Sequence, residues 1–158
     1  MPLTDRVFLR PERVQVIRGL QGPGGIIPPM MEQALREAAK RRNANQKINR
    51  KWSLLNGLPG AALTPGDDGL IKAGDGFYRE FTSGRIYYQS TIGVFWVYGS
   101  IGDKYTQLGG PSSWLGWPTS DEQPFTEDGC VSTFQDGAIY WWPDTGAIEL
   151  GEISLRYT

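Results

Sequence analysis

Histidine is absent from the 158 residues. That removes the commonest general base near neutral pH and the commonest metal ligand. The single cysteine, Cys130, permits no internal disulfide and leaves the redox compartment open. No apolar run approaches transmembrane length, so no membrane span is expected. The first eighteen residues interleave Leu and Val with Arg6, Arg10, Arg13 and Arg18, so no secretory signal is read there and the route of export is left open. Phosphate loops, nucleophile elbows and zinc patterns are missing as well. "DDG" and "TEDG" lack the spaced ligands of a calcium loop, so neither a metal nor a cofactor is expected.

What is abundant points to β structure. There are 21 Gly, 11 Pro and six Trp, and aromatics make 12% of the chain, a mixture of turn formers and strand formers. With 39% hydrophobic and 21% charged residues the chain buries a core, and its length suits one compact domain. The net charge of −1 hides a split. Residues 1–51 carry eleven Lys/Arg against four Asp/Glu, or +7, and residues 52–158 carry five against thirteen, or −8. A basic head precedes an acidic body.

Along the head, "RVFLRPERVQVIRGL" reads as an extended arm over residues 1–20, and "QGPGGIIPP" as a loop. Helical spacing of Met31, Leu35 and Ala38/Ala39 predicts a helix over about 30–42, supported by the i,i+4 pairs Glu32–Arg36 and Glu37–Arg41. Ile48, Trp52 and Leu55 form a second apolar set out of phase with the first. This predicts a break near 43–46 and a second helix at about 47–55.

The body repeats itself. Ile48, Trp52, Phe81, Gly84, Ile86, Tyr87, Tyr88 and Gly93 recur 53 positions later as Ile101, Tyr105, Phe134, Gly137, Ile139, Tyr140, Trp141 and Gly146. Two repeats follow, at about 48–100 and 101–152, with "GEISLRYT" resembling the opening of a third. Each reads as a short helix, a Gly/Pro corner and three strands, at about 77–81, 86–89 and 94–98 and again at 130–134, 139–142 and 147–150. One such meander cannot bury both its faces and must pack on a neighbour.

The second copy contains the corner Leu115-Gly116-Trp117-Pro118, flanked by "LGG", "TSDE" and "FQDGAIYWWPDTGA". It resembles the LGFP repeat, named for such a corner. The first copy matches more loosely: it keeps "KW", "FTSGRIYY" and Pro65, and the 53-residue register places Ala62-Leu63 where Leu-Gly would stand. The resemblance implies a non-catalytic, cell-wall-associated module of the actinobacterial envelope whose repeats form a propeller-like ring. The expected architecture is therefore mainly β with short helices: two propeller-like β-meander repeats preceded by an N-terminal arm and helix. Residues 1–46 form the head, for attachment or oligomerisation, and residues 47–158 form the repeat body.

Asp121 and Glu122 follow Pro118 after Thr119 and Ser120. An acid/base couple is one reading. The other is a turn whose carboxylates brace the corner and face a ligand. The register matches Asp121 with Asp68, again after a proline, which favours a repeated structural need. Flat aromatics stack on sugar rings, which makes Trp114, Trp117, Tyr140 and Trp142 candidate carbohydrate contacts. Strand alternation puts Trp141 with Ile139 on a core face, and Tyr140 with Trp142 on the other. The basic stretch "REAAKRRNANQKINRK" lacks the interleaved aromatics of a nucleic-acid binder and suits protein docking better. The expected function is recognition of a cell-envelope polysaccharide, in the envelope or outside the cell, by a homo-oligomer. The rival is a structural phage virion or tail component whose head attaches to the particle.

Overall fold

The computed structural model describes residues 28–151. The expected arm over 1–20, and the residues after 151 that echo a third repeat, lie outside them. Two compact units divide the chain, Met1–Lys40 and Arg41–Thr158. Of the first, the described part is the start of helix α1 (Pro29–Leu54), with proline at its first position and the ion pairs Glu32–Arg36 at 3.9 Å and Glu37–Lys40 at 3.5 Å.

The break expected at 43–46 is not there: α1 runs unbroken for 26 residues. The out-of-phase stripes need no break, because Leu35 is 47% exposed while Ala44 and Ile48, one turn apart, are fully buried. Asn43 and Asn45 do not compete with the helix backbone. The Asn43 amide donates to the Tyr88 hydroxyl at 2.9 Å, and the Asn45 carbonyl accepts from Arg79 at 2.8 Å. The helix ends where Asn56 and Gly57 take positive φ and the Gly57 N–H returns to the Trp52 carbonyl.

Two antiparallel four-stranded sheets follow, in chain order. Sheet A is β1 (Leu70–Ala73), β2 (Gly76–Phe81), β3 (Gly84–Gln89) and β4 (Gly93–Val97). After helix α2 (Gly99–Leu108), sheet B is β5 (Gln123–Phe125), β6 (Gly129–Phe134), β7 (Gly137–Trp142) and β8 (Gly146–Gly151). Three strands of each were expected; β1 and β5 are additional. They are short, and β5 contains Pro124, so neither carries a readable alternation.

Sheet A is buried on both faces. Ile86, Tyr88, Trp96, Phe77 and Phe81 close on Ala44 and Ile48 of α1. Tyr87 and Val97, from the other face, enter a second cluster with Ile101 and Tyr105 of α2, Leu115, Trp117, Phe134 and Ile139. Trp141 packs against that cluster, so the alternation along β7 is as the sequence indicates. No closed barrel or ring of blades forms among the described residues.

The corner is stitched to the β6–β7 hairpin. The Asp136 and Gln135 N–H groups donate to the Leu115 and Trp117 carbonyls, both at 3.0 Å, and the Tyr105 hydroxyl donates to the Gly116 carbonyl at 2.5 Å. The same pattern recurs in the first repeat at Pro59-Gly60-Ala61-Ala62. Ser83 and Thr82 N–H groups donate to Pro59 and Ala61 carbonyls, and the Trp52 indole donates to the Gly60 carbonyl at 2.7 Å. Gly60 and Gly116 share a left-handed φ, +85° and +78°. The corner glycine of the first repeat is thus kept at Gly60, not lost at Ala62-Leu63, because the offset there is 56 rather than 53. A shorter helix-to-corner link is compensated by a longer corner-to-strand link.

Tyr105→Phe leaves the Gly116 carbonyl without its buried donor. It is expected to destabilise the fold by about 1–2 kcal/mol, measured by urea denaturation.

Candidate functional site

The carboxylate pair joins the two repeats. The Asp121 carboxylate accepts from the Lys51 ammonium at 2.6 Å and from the Trp96 backbone N–H at 2.8 Å, so it ties α1 and β4 of the first repeat to the second. The Glu122 carboxylate accepts from the Tyr98 hydroxyl at 3.1 Å, just beyond β4. Burial, then the neighbouring Glu122 charge, pushes the Tyr98 phenol up to about 12. Burial and the same carboxylate push the Cys130 thiol up. Asp68 does not repeat the role of Asp121: it is exposed, in the 3-10 turn Asp67–Gly69. The register match between the two aspartates comes from the shifted corner, not from a shared structural need.

The aromatic candidates separate. Trp117 is 8% exposed and meets Tyr87 edge-on at 6.3 Å, with its ring against Gly76. It is a packing residue. Tyr140 and Trp142, two apart on β7, lie parallel, 5.8 Å between centroids and 6° between planes. Phe125 on β5 stands across both, at 5.0 Å from Tyr140 and 5.8 Å from Trp142. The Trp142 indole donates to the Thr126 carbonyl at 2.8 Å, which fixes its tilt. Phe125 is 42% exposed, as is Ile148 to 38%, paired with Tyr140. Together they make an apolar shelf on the face of sheet B opposite the core cluster. Trp114, 49% exposed, stands apart, beside Gly151 at the other end of β8. Phe125 was missed in the sequence because β5 was; its one signal is an aromatic directly after a proline in an otherwise polar stretch.

Among the described residues no group of three or more Cys, Asp or Glu is placed to hold a metal ion, and no helix is long and apolar enough to cross a membrane. The model of the LGFP repeat matches residues 65–113 and again 115–158. The chain belongs to the LGFP repeat family. No curated protein matches it. The first match opens after the displaced corner at Gly60, and the second opens on Leu115 itself.

Asp121→Ala should cost about 2 kcal/mol in urea denaturation and Lys51→Ala about half of that, because Asp121 keeps its bond to the Trp96 N–H in the second variant. The Tyr98 phenol stays neutral in the folded protein beyond pH 10, where an unfolded tyrosine ionises. Stability should therefore fall as pH rises from about 10 to about 12. Glu122→Gln should lower the Tyr98 midpoint, followed by NMR of its ring.

Proposed function

We propose that this LGFP-repeat protein is a non-catalytic binding module for a cell-envelope polysaccharide, and that Tyr140, Trp142 and Phe125 form its contact shelf. The observation that carries the reading is this aromatic ladder on a sheet face, half-buried at Tyr140 and Trp142 and exposed at Phe125, where bulky apolar side chains normally seek full cover. Flat rings suit the apolar faces of sugars, and the rigid strand holds them in place before a ligand arrives. LGFP repeats are a cell-wall-associated family, which supports an envelope or extracellular site of action. Asp121 and Glu122 are engaged in bonds that join the repeats, which supports a structural rather than a catalytic role for the pair. Trp114 is assigned a second, separate contact. The basic head over residues 1–46 is assigned to attachment, with self-association or anchoring on a larger particle as its two forms.

The test is retention of the purified protein on isolated cell walls. Trp142→Ala should lower retention at least about tenfold at a stability cost of about 1–2 kcal/mol, since its ring is half-buried and loses one hydrogen bond. Trp117→Ala should instead cost about 3–5 kcal/mol. Wild-type protein that ignores wall glycan, yet is found in virus particles, would replace the glycan reading with the virion one.

A further inference from the structure

A second recessed surface lies away from the aromatic shelf. A groove of about 760 Å³ runs between the β2–β3 hairpin and α2, where the first repeat meets the second. Its floor is apolar and solid: Tyr87 and Val97 are each 2% exposed. Its walls are polar. On the hairpin side the Arg85 guanidinium donates to the Glu80 carboxylate at 2.8 and 3.1 Å and lies 4.4 Å over the Tyr78 ring. On the helix side Asp103, Thr106 and Gln107 stand one turn apart, all exposed and all lining the groove.

The other copy has none of these four groups. By the repeat register Glu80, Arg85, Asp103 and Gln107 correspond to Thr133, Ala138, Arg50 and Leu54, and the other copy builds the same sheet and helix without them. Two carboxylates, one guanidinium and an amide therefore converge on one recess with no counterpart in the other copy. Arg85 is held on two sides and is committed to Glu80. The accessible chemistry is left with acceptors at Asp103 and Glu80 and with the donor amide of Gln107. That set recognises neighbouring hydroxyls, and its surplus of negative charge repels anions.

We propose that this groove is a subsite for a neutral saccharide unit carrying vicinal hydroxyls, bound by Asp103, Gln107 and Glu80 and distinct from the aromatic shelf. It rests on the glycan reading above for the ligand class alone.

The experiment is an NMR titration of the full chain with neutral tetrasaccharides of galactose, glucose, mannose and N-acetylglucosamine, and with tetragalacturonate. A neutral member should shift the Gly84, Gly99 and Gly102 amides. Gln107→Ala and Asp103→Asn, both at exposed positions, should weaken that binding about tenfold or more. Tetragalacturonate should bind more weakly than tetragalactose, and Asp103→Asn should narrow that gap. Shifts confined to Phe125, Tyr140 and Trp142, lost in Trp142→Ala and kept in Gln107→Ala, would overturn the groove and leave the shelf. Groove shifts kept in Trp142→Ala would uphold the groove even if the shelf fails. Shifts at neither surface with any member would overturn both.

Discussion

One bond recurs in each repeat and places everything else: an aromatic side chain from the helix donates to the carbonyl of the corner glycine. The donor is the Trp52 indole in the first repeat and the Tyr105 hydroxyl in the second. The acceptor carbonyl is presented because the glycine takes a left-handed φ that a larger residue rarely adopts. At Gly116 a Cβ would also meet the Gln135 side chain at 2.5 Å. Helix, corner and hairpin are thereby fixed to one another, and Leu115 and Trp117 are driven into the cluster between the sheets. Two different donors serve the same acceptor, so the repeat conserves a bond rather than a residue.

The carboxylates after the second corner extend that arrangement from within a repeat to between repeats. Because the corner is fixed, Asp121 and Glu122 arrive beside β4 and take the Lys51 ammonium, the Trp96 N–H and the Tyr98 hydroxyl. The groove between the hairpin and α2 borders the same junction at Tyr98, which lines it and bonds Glu122. The groove thus depends on how one repeat is set against the next, while the aromatic shelf depends on sheet B alone.

Much of this was legible in the residues. The repeat, the three later strands of each sheet, the packing of Trp141 on the core and the common face of Tyr140 and Trp142 all follow from a register of 53 and a period of two. Besides the short strands β1 and β5, three features were not. A fixed offset hides a length change that is compensated within the repeat, so Gly60 was passed over and Asp68 was matched to Asp121. The helix break rested on two apolar stripes sharing one core, whereas Leu35 is half-exposed and only the later stripe is buried with sheet A. The groove is invisible in a linear reading because its walls, Glu80–Arg85 and Asp103–Gln107, meet only across the boundary between repeats.

Sheets present edges, and edges invite pairing with other chains. Here β5 is three residues long and carries Pro124, which has no N–H to offer, and β1 is only four residues long. The far edge of sheet A is β4, where the Trp96 N–H is already occupied by the Asp121 carboxylate. The bond that joins the repeats therefore also takes up one outward N–H of that edge. In a chain built of such repeats, each sheet but the last would have the next repeat's carboxylate against its edge, which leaves fewer of its N–H groups for a strand of a neighbouring chain.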